Sequence, residues 1–226
     1  MSSQPPREKD WNNFDRLAPG YRILERLLAG RLLERVRCHY METLPQTGKI
    51  LLLGDGPGKF LEELVRKRPQ LEVVYLEKSI RMIEAAKNAL SKSKVSSPSV
   101  IWRSEDILHC DLSGAYSAAV SHFFLDCFTL PEIRQIVDKV RRVLAPNASW
   151  LLSDFQMAPK GWPKIRSRVN LWLMYRFFRL ATRLSAGRLA DPAPVLQQGG
   201  FVLESSRSWN YGLIKSESWR LKDQGD

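Results

Sequence analysis

The stretch ILLLGDGPGKF, residues 50–60, places three glycines and a proline directly after four aliphatic residues. A chain that only turned from a buried strand into a helix would need one glycine at most. Glycine permits positive φ and lets another group approach the main chain closely, and a helix that begins here offers unpaired N–H donors. Gly54, Gly56 and Gly58 therefore predict a strand, a loop and a helix, with the loop lying against a ligand.

Strands alternate with helices along most of the chain. Apolar runs predict five β-strands, in KILLLG, LEVVYLEKS, SSPSVIWRSED, YSAAVSHFFLDCF and ASWLLSDF, with helices between most of them. A short helix around 191–198 and two further β-like segments, GFVLESSRSW and LIKSESWRL, follow later. This order predicts an α/β fold with a Rossmann-like, mostly parallel sheet and helices on both faces. Such sheets bind ligands at the carboxyl ends of their strands.

The 226 residues suffice for one sizeable α/β core but not for two full domains. We expect a flexible arm over residues 1–13 and one domain over 14–226, with helical lid segments at about 14–44 and 160–190. The sequence has no apolar run long enough to span a membrane, no secretion signal at its start, and three cysteines whose spacing suits neither disulfides nor zinc. These features predict a cytoplasmic protein without a metal site.

The residues after the glycine loop argue against a phosphate-binding role. A dinucleotide loop would need a further glycine near position 59, where the chain has Lys59, Phe60 and Leu61. A Walker loop would need serine or threonine after the lysine, and Phe60 stands there instead. Both phosphate-binding interpretations are therefore weakened.

Two acids at later strand ends indicate a nucleoside. Glu77 ends the second strand, 19 residues after Gly58, where a carboxylate can accept both hydroxyls of a ribose. Asp106 follows the third strand, where a carboxylate can accept the amine of an adenine. Because no pyrophosphate site accompanies them, these features favour S-adenosylmethionine (SAM) as the cofactor.

Over residues 14–221 the chain resembles the class I SAM-dependent methyltransferases. FDRLAPGYRILERLL is similar to the segment before the glycine loop in ubiquinone/menaquinone-biosynthesis methyltransferases, and GDGPGKFLEEL and YLEKSIRMIEAAK are similar to the loop and ribose segments of small-molecule methyltransferases. The resemblance implies a seven-stranded sheet whose last strand is antiparallel. It also implies that the glycines surround the methionine part of SAM, that Glu77 binds the ribose, and that other residues enclose the adenine. The implied cofactor-binding residues are Gly54, Asp55, Gly56, Gly58, Glu77, Lys78, Ser79, Met82, Glu105, Asp106, Ile107, Ser121 and His122.

The chain departs from the family at one position. The family commonly has an acid two residues before the first glycine, where it reaches the methionyl group of the cofactor. Leu52 occupies that position here, and Asp55 inside the loop is a candidate to replace the missing acid.

The tip of the fourth strand, SHFFLDCF, should lie against the transferred methyl group. His122 and Asp126 are the candidate catalytic residues there. His122 acts as a base or orients the acceptor, or it only bonds to backbone. Asp126 is equally a candidate to cap the helix that begins near Pro131, and Asp154 at the end of the fifth strand is expected to face the cleft as well. Phenylalanines supply apolar walls: Phe123, Phe124 and Phe128.

Several macromolecular substrates are disfavoured by missing motifs. An Asn/Asp-Pro-Pro-aromatic run, usual for methylation of base amines, does not follow the fourth strand, and Cys127 follows Asp126 rather than the proline common in base C5 methylation. The two glutamates of protein arginine methylation are also missing. The sequence therefore predicts a small-molecule acceptor, hydrophobic or aromatic in character.

The formal net charge of +11 is concentrated in one segment. Residues 160–188 carry eight lysines and arginines, several aromatic residues and no acid. Three interpretations remain open: a lid packed on the sheet, a helix on an anionic membrane surface, or a nucleic-acid-binding face. The last would make the protein an RNA methyltransferase, and Leu52 leaves a further alternative, a non-catalytic SAM-binding protein. The oligomeric state is not predicted.

Overall fold

The computed structural model describes residues 30–93, 99–156 and 190–222. Several sequence-based predictions fall outside these residues. They are the N-terminal arm over 1–13, the start of the first helical segment, and the basic segment 160–188.

One seven-stranded sheet organises the described residues, in the order β3-β2-β1-β4-β5-β7-β6. Neighbouring strands from β3 to β5 run parallel, and β7 runs antiparallel to both β5 and β6. The predicted Rossmann-like fold with an antiparallel last strand is therefore confirmed. The strands are β1 Gly48–Leu53, β2 Leu71–Glu77, β3 Val100–Ser104, β4 Tyr116–His122, β5 Leu144–Phe155, β6 Phe201–Trp209 and β7 Ile214–Leu221.

Helices cover both faces of this sheet. They are α1 Gly30–Cys38, α2 Lys59–Lys67, α3 Ile80–Lys92, α4 Leu130–Val143 and α5 Ala193–Gln198, and short 3₁₀ turns lie at Met41–Thr43, Leu125–Cys127 and Asn210–Gly212. None of the helices in the described ranges is both long and apolar enough to cross a membrane.

The pleat of β1 divides the core into two layers. Ile50 and Leu52 pack with α2 and α3, whereas Leu51 and Leu53 pack with α4 and α5 on the opposite face. Successive side chains of a strand point to opposite faces, so an unbroken aliphatic run suits a strand that is covered on both sides. Leu52 is 1% exposed inside this packing, which explains why the position holds no acid.

Helix α4 begins with a capping box that the sequence analysis did not identify. Thr129 precedes the helix, and its N–H donates to Oε2 of Glu132 at 2.7 Å. The suggestion that Asp126 caps this helix is therefore wrong, because Thr129 occupies the capping position. Asp126 lies instead in the turn between β4 and α4 and is buried.

Candidate functional site

The glycine loop follows β1 at the carboxyl edge of the sheet, and its three glycines all have positive φ. Two of them are required by packing within the protein. A Cβ on Gly54 would lie 2.1 Å from the Phe124 ring, and a Cβ on Gly58 would lie 2.7 Å from Cβ of Ala86 in α3. The sequence predicted that another group approaches the backbone closely at these glycines. At Gly54 and Gly58 that group belongs to the protein itself: Phe124 at the first and helix α3 at the second.

Gly56 differs from its neighbours because open space surrounds its α-carbon. A Cβ there would meet only Sδ of Met82, at 4.0 Å. Its backbone is held on both sides: its N–H donates to Oε2 of Glu77 at 3.3 Å, and its carbonyl accepts from the hydroxyl of Tyr75 at 2.6 Å. Gly56 is thus a fixed position with room for a ligand against the main chain.

Asp55 lies in the loop, and its carboxylate accepts hydrogen bonds from the first turn of helix α2. Its carboxylate accepts from the N–H of Phe60 at 3.2 Å and from the N–H of Leu61 at 2.9 Å. A carboxylate at a helix N-terminus satisfies unpaired donors and complements the helix dipole. The structure therefore gives Asp55 a capping role, and its predicted contact with the cofactor stays a prediction.

Glu77 ends β2 with its carboxylate beneath the glycine loop. Oε1 accepts from the N–H of Ser79 at 2.9 Å, in addition to the bond from Gly56. Burial raises the pKa of Glu77, and the backbone hydrogen bonds oppose that rise. Each carboxylate oxygen can accept more than one hydrogen bond, so the group can still bind ribose hydroxyls beside Gly56.

Asp106 lies after β3 and pairs with Lys78, which follows β2. Lys78 Nζ donates to Oδ2 of Asp106 at 2.9 Å, and the N–H of Leu108 donates to Oδ1 at 3.0 Å. Burial favours a raised pKa for Asp106, but these two hydrogen bonds outweigh it and hold the pKa below its usual value. The carboxylate is ionised and fixed in place, as binding an amine requires.

The other predicted adenine-side residues lie close to this pair in the chain. Ser79 caps α3, accepting from the N–H of Met82 at 3.3 Å, and Ile107 is buried. Glu105 pairs with Arg103 through two bonds of 2.7 Å. Of these residues, Met82 lies close to Gly56, as described above, whereas the carboxylate of Glu105 is paired with Arg103.

His122 ends β4 as a buried side chain, 5% exposed. Neither of its ring nitrogens has a hydrogen-bond partner among the described residues, and its ring meets Phe60 edge-on, with centroids 4.7 Å apart. Burial, assisted by the charge of Arg37, lowers the pKa of His122 to about 3. The imidazole is therefore neutral and a weak base, with one nitrogen able to donate and the other able to accept a hydrogen bond. Ser121 beside it instead accepts from Nε1 of Trp150 at 3.0 Å.

Two carboxyl groups lie buried beyond His122. Asp126 is in the turn after β4, and Asp154 is at the end of β5. Oδ1 of Asp154 accepts from the N–H of Phe124 at 3.1 Å, whereas Oδ2 is buried without a hydrogen-bond partner in the described parts of the chain. Aromatic rings flank this region in two contacting pairs: Phe123 with Phe155, and Phe124 with Phe128.

A known protein family matches the part of the chain that contains most of these candidate site residues. Residues 50–147, from β1 into the start of β5, match the family model described as "Methyltransferase domain". This stretch of the chain is similar to a methyltransferase domain. The resemblance to class I methyltransferases is thereby confirmed, while nothing specifically supports the ubiquinone/menaquinone type.

Curated relatives share part of this domain. A carboxy-S-adenosyl-L-methionine synthase from Campylobacter hominis is 29% identical over 127 residues, covering 56% of this chain and 50% of the relative. A protein of the same name from Nautilia profundicola is 29% identical over 111 residues, covering 49% and 46%. The chain thus spans about half the length of the curated relatives it matches.

Solved structures agree on the fold. N-methyltransferase NodS from Bradyrhizobium japonicum, in complex with S-adenosyl-L-homocysteine, superposes with a TM-score of 0.60 at 14% identity, and each chain is covered over 85%. At this identity the likeness supports the methyltransferase fold alone.

Sequence reasoning missed two residues that shape the candidate site. Tyr75 looks like an ordinary core residue of β2, and only the fold brings its hydroxyl to the Gly56 carbonyl. Lys139 of α4 donates to the carbonyls of Ile107, Leu108 and Cys110 at 3.0, 2.8 and 2.8 Å, which ties the loop after β3 to the helix. No sequence signal marks either residue, whereas an acid just before a helix does mark Asp55 as a cap.

The buried histidine leads to a prediction about acid stability. The unfolded chain binds a proton at His122 between about pH 6.5 and about pH 3, whereas the folded domain does not, so stability falls as pH drops through that window. His122→Leu removes this contribution. Between about pH 7 and about pH 4.5, the wild type should lose about 3 kcal/mol more stability than the variant. Urea unfolding at the two pH values measures the difference.

The matched control for this prediction is His109→Gln, which removes an exposed histidine. It should retain the wild-type loss. Equal losses in the wild type and in His122→Leu would contradict the assignment of a buried neutral imidazole.

Proposed function

We propose that this chain is a SAM-dependent methyltransferase that acts on a small acceptor with a hydrophobic or aromatic part. The observation that carries the proposal is the open space at Gly56, lying directly beside the carboxylate of Glu77 at the carboxyl edge of the sheet. A ligand in this space would contact the main chain of Gly56 and, beside it, the carboxylate of Glu77, which we assign to the ribose. The match to the methyltransferase domain family supports the same activity.

The residues of the site suit the parts of SAM in turn. Gly56 leaves room for the methionyl chain, Glu77 accepts from the ribose, and Asp106 and Ile107 lie where the adenine is expected. When bound, SAM supplies a methyl group on a positively charged sulfur. The two phenylalanine pairs offer apolar surface to an acceptor, and the ring nitrogens of the neutral His122, unpaired within the described ranges, can orient it by a hydrogen bond.

Calorimetric titration with SAM tests the cofactor assignment. We expect saturable binding, and we expect no binding of NAD, because the loop lacks the dinucleotide pattern. Absence of SAM binding at several hundred micromolar would overturn the proposed function. SAM binding without methyl transfer to any member of a broad panel of phenols, amines and carboxylic acids would favour the non-catalytic alternative.

A second candidate follows from the relatives named carboxy-S-adenosyl-L-methionine synthase. A carboxylated cofactor carries an added negative charge, and Arg37 is a buried cation beside the site, with its guanidinium 5.2 Å from the centroid of the Phe123 ring. Mass spectrometry of small molecules released from the purified protein separates the candidates. A bound species heavier than SAM by one carboxyl group would favour the synthase.

The RNA methyltransferase and membrane-surface alternatives depend on residues 160–188, which lie outside the described residues. They stay proposals, motivated by the net charge of +11. Co-sedimentation with anionic liposomes at low salt tests the membrane contact, and a filter-binding assay with single-stranded RNA tests the other.

A further inference from the structure

The carboxyl ends of β4 and β5 bring an unusual number of acids to one buried place. Asp126, Asp154 and Glu77 all act electrostatically on the thiol of Cys127, whose pKa burial and these acids raise. Asp126 and Asp154 are 8% and 1% exposed. Three carboxyl groups therefore share one buried region of a protein whose overall charge is strongly positive.

Asp154 is the acid of this group that has an unused atom. Its Oδ1 is occupied by the N–H of Phe124, but its Oδ2 is fully buried and has no hydrogen-bond partner in the described residues. A buried polar atom without a partner is costly, and a catalytic role, an ordered water or an ion are among the reasons for which proteins retain one. The ring of Phe124 packs against Gly54 at the tip of β1, so Phe124 links this carboxyl to the proposed cofactor loop.

The two cations of this region, Lys215 and Arg37, make contacts with groups other than the Asp154 carboxylate. Lys215 of β7 lies opposite Asp154 in the strand register, but its ammonium group bonds to Glu217 at 3.0 Å and to Asp191 at 3.2 Å. Arg37 of α1 lies over the ring of Phe123. The titratable and charged groups that face the acid pair from the packed elements are His122, Cys127, Lys215, Glu217, Glu77 and Arg37.

Burial and the charge of Asp126 favour a proton on Asp154. Burial raises the pKa of Asp126 to about 6, and burial together with the charge of Asp126 raises the pKa of Asp154 well above its usual range, against the opposing effect of Lys215. A cation placed beside the pair reverses this balance, because it favours the ionised carboxylate. The site is thus suited to a positive ligand.

We propose that Asp154, together with Asp126, selects the positively charged sulfonium of SAM over the neutral sulfur of the product S-adenosylhomocysteine (SAH). The inference rests on the proposed function and names a role within the same site. When the methyl carbon bonds to the acceptor, its bond to sulfur breaks and the electron pair stays on sulfur, which becomes neutral. The acid pair then takes back the proton that it lost when SAM bound, and the product is held less tightly than the substrate.

Calorimetry with SAM and SAH, in buffers of different ionisation enthalpy at about pH 6.5, tests this role. SAM binding should release protons to the buffer, and SAH binding should release fewer. Asp154→Asn should weaken SAM binding roughly tenfold while changing SAH binding little. The matched control is Glu72→Gln, which removes one surface carboxylate at the opposite edge of the sheet and should leave the preference for SAM unchanged.

Each outcome has a distinct meaning. If neither SAM nor SAH binds, the proposed function fails and this inference fails with it. If both bind with equal proton release in the wild type, the proposed function stands and the inference is overturned, whether or not the variant folds. Equal weakening of SAM and SAH by Asp154→Asn would overturn it too, because the carboxylate would then contact a group that both ligands share. Asp126→Asn provides a second variant for the same comparison.

Discussion

Gly58→Ala is expected to lower the free energy of unfolding by roughly 3 kcal/mol, because strain and overpacking coincide at this position. The residue has φ of 78°, and an added Cβ would lie 2.7 Å from Cβ and 3.0 Å from Cα of Ala86. Ala86 belongs to helix α3, whose backbone would have to move as a whole. For a chain of this length the melting temperature should fall by roughly 10 °C, which a thermal unfolding experiment measures.

Gly56→Ala is the matched control. Its φ of 60° imposes a similar backbone strain, but a Cβ there would meet no atom closer than 4.0 Å. We therefore expect a loss of only about 1 kcal/mol, the strain alone. Equal losses at the two positions would contradict the conclusion that Gly58 is required by helix packing and that Gly56 faces open space.

Glu77→Ala is expected to weaken SAM binding about 100-fold or more. The substitution removes the predicted acceptor for the ribose and leaves two N–H donors, those of Gly56 and Ser79, without their carboxylate. Two lost charge-assisted hydrogen bonds correspond to roughly 3 kcal/mol of binding free energy. Calorimetry with SAM measures the loss, and circular dichroism verifies that the variant is folded.

Tyr75→Phe is the matched control, because it loosens the glycine loop without removing a group that would bind the ribose. It removes only the bond from the tyrosine hydroxyl to the Gly56 carbonyl and keeps the carboxylate of Glu77. We expect a loss of about fivefold in affinity, the value of one neutral hydrogen bond. A Glu77→Ala variant that binds SAM as tightly as the wild type, or no more weakly than Tyr75→Phe, would refute the assignment of Glu77 to the ribose.

The sheet could be predicted because its strands carry their own signal. The aliphatic run before Gly54 can be buried on both faces only as a central strand, and the alternation of Ile50 and Leu51 between two core layers confirms it. Glu77 and Asp106 could be placed for the same reason, since Glu77 ends β2 and Asp106 lies two residues after β3. Their positions along the chain were enough to predict that both acids lie at the carboxyl edge of the sheet.

The reasons for individual side chains could not be predicted in this way. Gly54 and Gly58 need small size because of Phe124 and Ala86, which are distant in the sequence and close only in the folded domain. Asp126 was predicted as a possible cap of α4, but Thr129 and Glu132 form a capping box, and this local pattern is the stronger signal. The unpaired Oδ2 of Asp154 also becomes visible only when its neighbours are in place.

Three side chains hold the glycine loop in place through four hydrogen bonds. Asp55 fastens the loop to α2, Glu77 holds the N–H of Gly56, and Tyr75 holds its carbonyl. Glycines usually give a segment freedom to move, but here hydrogen bonds within the protein itself fix the left-handed geometry. Ligand binding would therefore lose little conformational entropy in the loop.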